Sequence, residues 1–149
     1  MVLAFDYSGE EVLRLPGYGI TGNSAYISNG MIVNENTPLV LYTEYEDKAS
    51  DDSDYASAQM GIYSLKDRKW IVEPARQSVT LFTDSVYMIG SDVGNLYRTD
   101  GTCIEEGAED VTVQGNFIIS RRAVYDKTGQ LLIMIQENEN VLTVLCDEI

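Results

Sequence analysis

The feature that most limits the fold of this chain is a short template that recurs along it. An aromatic residue is followed four positions later by Gly or Asp, and seven positions later by an apolar residue. In a β-hairpin, such an aromatic residue closes one strand, the Gly or Asp takes the turn position with positive φ, and the apolar residue begins the return strand. The template therefore predicts an array of similar hairpins. Its matches are Phe5/Gly9/Val12, Tyr26/Gly30/Val33, Tyr63/Asp67/Trp70, Tyr97/Gly101/Ile104 and Tyr125/Gly129/Leu132.

A second marker precedes the template in each predicted unit. It is a turn-like tripeptide between two apolar runs, namely Thr21-Gly22-Asn23, Thr83-Asp84-Ser85 and Gln114-Gly115-Asn116. Two hairpins in each unit correspond to four antiparallel strands. The resulting units cover residues 19–74, 78–106 and 109–135.

The rest of the chain completes this pattern. Residues 2–15 resemble the second hairpin of a unit and residues 141–146 an opening strand, so the two ends together predict a fourth, split unit. The first unit carries an acidic insertion at about residues 44–58, which has no apolar periodicity and is expected to be solvated. We interpret residues 1–149 as a single repeat domain.

The spacing of apolar residues along the whole chain also indicates β-strands. Apolar residues do not recur at helical spacing, whereas short runs rich in Val, Ile and Tyr alternate with turn pairs. The predicted fold class is all-β, a propeller-like array of small antiparallel four-stranded sheets with about three full units and a split one. The alternatives are a fragment of a larger propeller, a single β-barrel, a trefoil or a sandwich, although a single barrel does not explain the repeated template.

Two segments carry a family resemblance. Tyr97-Arg98-Thr99-Asp100-Gly101-Thr102-Cys103-Ile104 and Tyr125-Asp126-Lys127-Thr128-Gly129-Gln130-Leu131-Leu132 resemble bacterial β-propeller repeats, in particular those of the WG type. The dipeptide of that family is absent, because Trp70 is not followed by Gly. The units without the insertion, at just under 30 residues, are also shorter than the usual blade of about 40 to 45. The resemblance implies a scaffold that presents loops to proteins or glycans, without implying an activity.

Composition excludes several classes of function. Ten basic against 24 acidic residues give a net charge of -14, which repels nucleic acid and anionic lipid headgroups. Because the chain has no histidine, Ser-His-Asp, Cys-His and zinc-histidine chemistry are excluded, and no cofactor is implied. No apolar run reaches the roughly 20 residues of a membrane-spanning helix, and residues 1–6 lack the features of a signal peptide. We expect a soluble domain, and its compartment is not predicted.

The candidate site residues lie in or beside the acidic insertion. Asp47, Asp51, Asp52 and Asp54 offer oxygen ligands for calcium, but the segment lacks the Gly and Glu of an EF-hand loop, and a solvated acidic loop is the alternative. Tyrosine suits binding surfaces because it combines contact area with a hydroxyl group. The predicted binding residues are Tyr42, Tyr45 and Tyr55.

Other side chains are expected to be structural. Tyr26, Tyr63, Tyr97 and Tyr125 occupy equivalent repeat positions and are predicted to pack between strands. The two cysteines lie in apolar runs and are predicted to be buried free thiols. The basic residues at predicted hairpins are expected to be exposed turn residues. The cysteines are Cys103 and Cys146, and the basic residues are Lys66, Arg68, Lys69, Arg121 and Arg122.

The function that follows is a non-enzymatic interaction or ligand-binding repeat module for a protein or glycan partner. One alternative is a small-molecule carrier barrel, which needs a single large apolar cavity. A second is a glycoside hydrolase with a carboxylate pair, which needs two acids converging in a cleft. Unpaired sheet edges would favour a homo-oligomer.

Overall fold

A computed structural model describes residues 2–6, 8–16, 18–21, 25–26, 39–45 and 58–136. These residues form strands and turns without a helix, which confirms the all-β prediction. The chain divides into two compact units, Met1–Ser78 and Val79–Ile149. In the described part of the chain, no helix is long and apolar enough to cross a membrane.

The first unit contains a two-stranded and a five-stranded antiparallel sheet. β1 pairs with β2, and the larger sheet has the order β4-β3-β5-β6-β7. The hairpin of β1 and β2 lies where the sequence predicts the second hairpin of a split unit, and residues 141–146, the predicted opening strand of that unit, lie outside the described residues. The strands are β1 (Val2–Phe5), β2 (Glu11–Leu15), β3 (Tyr18–Thr21), β4 (Ala25–Tyr26), β5 (Leu39–Tyr45), β6 (Ala58–Ser64) and β7 (Lys69–Arg76).

The second unit contains two four-stranded antiparallel sheets, in which every strand pairs with the next one along the chain. They match the predicted units at residues 78–106 and 109–135 and confirm an array of small sheets. Because the described strands form four separate open sheets, they do not form the single closed barrel. The strands are β8 (Val79–Leu81), β9 (Val86–Gly90), β10 (Val93–Arg98), β11 (Cys103–Glu109), β12 (Thr112–Gln114), β13 (Phe117–Ile119), β14 (Ala123–Asp126) and β15 (Leu131–Met134).

At four of its five matches the repeated template marks the hairpin that it predicts, and Gly30 and Val33 of the remaining match lie outside the described residues. In the turns of β1–β2, β10–β11 and β14–β15, the glycines Gly9, Gly101 and Gly129 have φ of 84°, 90° and 82°. Each glycine N–H donates to the carbonyl three residues earlier, as in a three-residue loop with a left-handed last residue. The register then shifts beside the closing aromatic residue, so the apolar residue at the seventh position is the extra residue of a β-bulge.

The hairpin of β6 and β7 departs from the template. Tyr63 pairs with Trp70, the apolar residue of the template. In the other hairpins, the closing aromatic residue pairs with the residue just before that apolar position. The residue with positive φ is Arg68, at 51°, and not the predicted Asp67. Asp67 instead donates its N–H to Ser64 Oγ and accepts a hydrogen bond from that hydroxyl at 3.0 Å, which closes a longer turn.

The repeat unit predicted at residues 19–74 also differs from its expected outline. β3 and β4 form the hairpin predicted at residues 21–23, but β3 pairs on its other side with β5. Glu44, Tyr45 and Ala58, at the ends of the predicted insertion, belong to β5 and β6, and residues 46–57 between them lie outside the described residues. The repeat unit is therefore enlarged by the segment that contains β4 as well as by this insertion.

The core of the second unit joins its two sheets. Val86, Met88 and Leu96 of the first sheet pack with Ile118 and Tyr125 of the second, and all are buried. Burial of side chains of this size contributes about 1.5–3 kcal/mol each. The two sheets of the second unit therefore share one apolar core.

Two predictions for isolated side chains have different outcomes. Cys103 is a free thiol but is exposed, so its predicted burial is wrong. Cys103 is the first residue of β11 and lies beside an open cleft. The apolar run around it is short, because Glu105 and Glu106 follow in the same strand. The five basic residues lie at or beside the turns and are exposed as predicted. Cys146 lies outside the described residues.

Candidate ligand-binding cleft

A cleft of about 540 Å³ lies between the two sheets of the second unit. Residues of β10 and β11 line one side, and residues at the start of β14 and in β15 line the other. Its volume is within the range of small-ligand sites, about 300–1,000 Å³. The polar lining residues are Arg98, Thr102, Cys103, Glu105, Glu106, Arg122 and Tyr125, and the apolar ones include Ile104, Ala123, Leu131 and Met134.

The carboxylate of Glu105 connects the two sheets at the base of the cleft. Its Oε2 accepts hydrogen bonds from Ser120 Oγ at 2.7 Å and from Tyr125 OH at 2.8 Å. The Glu105 side chain is only 8% exposed, and Arg122 Nε lies 3.3 Å from Oε1. That contact is an ion pair without hydrogen-bond geometry, so Oε1 is buried with no hydrogen-bond donor among the described residues.

A bulge in β11 shapes this side of the cleft. Gly107 has φ of 61°, and its N–H donates to Asn95 Oδ1 at 2.9 Å. The kink directs the carbonyls of Glu106 and Gly107 toward Arg122, which donates to both through Nη2. The bulge thus holds the guanidinium at the mouth of the cleft, where 56% of the Arg122 side chain stays exposed.

Further polar contacts hold the turn of β14 and β15 against the first sheet. Arg98 Nη2 donates to the carbonyl of Gly129 at 3.0 Å, and Thr83 Oγ1 donates to the carbonyl of Lys127 at 2.8 Å. Methyl and methylene groups of Val86, Ile104 and Arg98 approach Gly129 so closely that an added Cβ would lie 3.0 to 3.3 Å from them. Only glycine satisfies both this spacing and the positive φ.

Burial alters the acid–base behaviour of several groups in this unit, among them Tyr125 and Asp84. Burial and the hydrogen bond to Glu105 raise the pKa of the Tyr125 hydroxyl well above its ordinary value, so it remains a donor. Burial also raises the pKa of Asp84, whose Oδ1 has no hydrogen-bond partner in the described structure. Asp84 lies in the turn before β9 and does not line the cleft.

The outer wall of the cleft continues into an exposed apolar strand. All four residues of β15 are between 43% and 57% exposed. β14 is the only hydrogen-bonded neighbour of β15 within the described sheets. Exposed apolar residues on an unpaired edge are a common basis for protein contacts.

Of the predicted site residues that the structure describes, Tyr42 and Tyr45, neither lines the cleft. Tyr42 is 2% exposed, packs edge-on against Trp70 at 5.4 Å and donates its hydroxyl to Glu44 at 3.0 Å. Tyr45 ends β5, with its backbone paired to Ala58. Tyr55 and the predicted calcium ligands Asp47, Asp51, Asp52 and Asp54 lie outside the described residues. Elsewhere, in the described ranges, no group of three acidic or cysteine side chains is placed to hold a metal ion.

The repeat-position tyrosines pack as structural residues where their side chains are described. Tyr63 contacts Trp70 edge-on at 5.1 Å, Tyr97 stacks on Tyr87 at 5.4 Å, and Tyr125 is 4% exposed. Tyr26 lies in β4, and only its backbone pairing with Ile20 is described.

Sequence reasoning missed the cleft because its polar groups come from separate hairpins. One local signal was present, namely Gly107 after two glutamates in an otherwise strand-like segment, which is typical of a bulge. The pairing of Glu105 with Arg122 depends on how two sheets pack, and residue spacing does not encode that contact.

Comparisons with known proteins identify no relative. No protein-family model matches the chain, and neither a curated protein nor a solved structure is significantly similar to it.

Proposed function

We propose that the chain is a non-enzymatic binding module whose ligand site is the cleft between β10–β11 and β14–β15. The observation that carries this proposal is the convergence of two guanidinium groups, two carboxylates and an apolar wall on one cavity of about 540 Å³. Such a mixture of a few oriented polar groups with apolar surface is typical of small-ligand sites.

The rigidity of the polar groups supports binding. Arg122 is anchored by two backbone carbonyls, and Glu105 by two hydroxyl donors from the facing sheet. Groups fixed in this way lose little conformational freedom when a ligand arrives, which favours affinity.

The same contacts favour binding over hydrolysis. The hydrogen bonds and the ion pair of Glu105 come from donors, so this carboxylate acts as an acceptor in a structural cluster. A hydrolase of the carboxylate-pair type needs one acid that can donate its proton to the substrate. Glu105 and Glu106 do bring two carboxylates to the cleft, but the fixed acceptor role of Glu105 favours binding.

A panel of small fragments tests the proposal. The probes are isobutyrate, butylammonium, benzyl alcohol and N-acetylglucosamine, each titrated into isotope-labelled full-length protein and followed by NMR. We expect at least one probe to give saturable shifts at Ile104, Tyr125 and Leu131, which line the cleft.

Two matched variants make the result specific. Thr102→Trp fills the exposed rim and is expected to abolish the shifts, whereas Thr112→Trp, on an exposed residue of β12, should leave them unchanged. If no probe saturates, or if Thr102→Trp has no effect, the proposed function is wrong.

A further inference from the structure

We infer that the ligand of this cleft is a zwitterion, specifically a free α-amino acid with an apolar side chain. The inference rests on the proposed function and adds the chemical class of the ligand. It follows from the balance of charge, the unused hydrogen-bonding capacity and the position of the apolar wall.

The charges that line the cleft cancel. Arg98 and Arg122 contribute two positive charges, and Glu105 and Glu106 two negative ones, within a chain of net charge -14. A net anion would be repelled by the field of the whole chain. A zwitterion carries no net charge, yet it can pair with both signs inside the cleft.

The carboxylate end of such a ligand fits Arg122. The two carbonyl contacts of this residue use Nη2, and its side chain is 56% exposed at the mouth of the cleft. A guanidinium has five N–H donors in a planar fork that matches a carboxylate. Arg122 therefore retains donors that face solvent while its position is held by the β11 bulge.

The ammonium end fits the glutamates. Glu106 is exposed beside Arg122, and the buried Oε1 of Glu105 has a charge partner but no hydrogen-bond donor in the described structure. A carboxylate held on the free edge of Arg122 places the ligand ammonium next to Glu106, whose exposed carboxylate can accept its hydrogen bonds. The buried charge of Glu105, which has no hydrogen-bond donor at Oε1 in the described structure, adds to the attraction at the base of the cleft.

The apolar wall accounts for the ligand side chain. Ile104 lies on the β11 side, and Leu131 and Met134 lie on the β15 side of the same cleft. Because β15 is exposed, covering these residues removes apolar surface from water on both the protein and the ligand. A branched aliphatic side chain such as that of leucine suits this wall.

Four related probes test the inference by NMR titration of the full-length chain. L-Leucine is expected to bind with shifts confined to the cleft. N-acetyl-L-leucine lacks the ammonium, L-leucinamide lacks the carboxylate, and glycine lacks the side chain, so each is expected to bind at least tenfold more weakly.

Paired variants separate the cleft from its neighbourhood. Arg122→Gln is expected to weaken leucine binding at least tenfold, whereas Arg121→Gln removes an adjacent exposed guanidinium that pairs with Glu109 and should have no effect. Glu106→Gln should likewise weaken binding, with Glu109→Gln as its control.

Two results would overturn the inference. If leucine does not bind while a fragment of the earlier panel does, the cleft is a binding site but its ligand is not an amino acid. If N-acetyl-L-leucine and L-leucinamide bind as well as leucine, the recognition is apolar and the zwitterion assignment is wrong. Failure of every fragment would instead contradict the proposed function itself.

Discussion

Two hairpins of this chain share almost the same turn and differ in what surrounds it. The turns are Phe5-Asp6-Tyr7-Ser8-Gly9-Glu10, between β1 and β2, and Tyr125-Asp126-Lys127-Thr128-Gly129-Gln130, between β14 and β15. In each, one aspartate oxygen accepts two backbone N–H groups and one hydroxyl, at 2.6 to 3.0 Å. The local geometry is therefore determined by the same side-chain and backbone contacts.

The surroundings of the two hairpins are opposite. Tyr125 is 4% exposed and Phe5 is 58% exposed. A Cβ on Gly129 would meet three side chains, whereas a Cβ on Gly9 would meet nothing within 4 Å. The turn motif therefore specifies a hairpin, while a facing sheet determines whether that hairpin becomes part of a core.

The largest expected effect separates the two glycines. Gly9→Ala and Gly129→Ala both place a Cβ at positive φ, which costs roughly 1–2 kcal/mol. Gly129→Ala also overpacks the contact with Val86 and Ile104, adding about 1–3 kcal/mol. Urea unfolding, followed through NMR signals of each mutated unit, measures both losses. Equal losses would contradict the role assigned to packing at Gly129.

The closing aromatic residues give the next effect. Tyr125→Phe makes the two motifs alike at this position and removes the hydrogen bond to Glu105, with an expected loss of about 1–3 kcal/mol. The converse change, Phe5→Tyr, adds a hydroxyl to an exposed ring and should be nearly neutral. Thermal unfolding of the two variants against the wild type tests this contrast.

Alkaline pH also distinguishes the two closing aromatic residues, because only Tyr125 can ionise. Because the pKa of Tyr125 is raised in the folded state, its contribution to stability is complete below the unfolded value of 10.0 and decreases as pH rises above it. Tyr125→Phe should reduce this alkaline loss, and Tyr87, whose pKa burial also raises, should retain a part. If the variant lost as much stability at alkaline pH as the wild type, the ionisation of Tyr125 would not contribute to that loss.

The turn aspartates give a smaller effect with the opposite pH dependence. Burial acts to raise the pKa of Asp126, but hydrogen bonds from Thr128 and Gln130 outweigh it, so the pKa lies below the ordinary value of 3.8. Its stabilising contribution is present above that value and is lost as pH falls through the lower, folded pKa. Asp126→Ala should cost about 1 kcal/mol at neutral pH and little in strong acid.

Asp6 serves as the matched position for this test. Its pKa is lowered by the same kinds of hydrogen bond, from Ser8 and Glu10, but no side chain faces its turn at Gly9, where an added Cβ would meet nothing within 4 Å. Asp6→Ala should therefore change the stability less than Asp126→Ala, with the same direction of pH dependence. A larger effect at Asp6 would mean that the facing sheet adds nothing to the turn.

The sequence predicts the hairpins because their signals are local. Gly101 and Gly129 take the positive φ that the template requires, and the two sheets of the second unit match their predicted ranges. The exposure of Cys103 was missed, as was the turn at Arg68, because both depend on details of register. The cleft was missed for a deeper reason, since Glu105 and Arg122 meet only through the packing of two sheets.

The smallest expected change in stability concerns the exposed apolar strand β15. Antiparallel pairing with β15 of a second copy would place Leu132 opposite Ile133. Because no residue of β15 is charged, the paired strands would not repel each other. Ile133→Lys should alter stability by less than about 0.5 kcal/mol, because Ile133 is 57% exposed, yet lower self-association at high concentration. Light scattering across a concentration series, with salt added to screen the net charge, measures this association. Leu3→Lys, at an exposed position of β1, is the control, and equal masses for Ile133→Lys and the wild type would exclude β15 as the self-pairing edge.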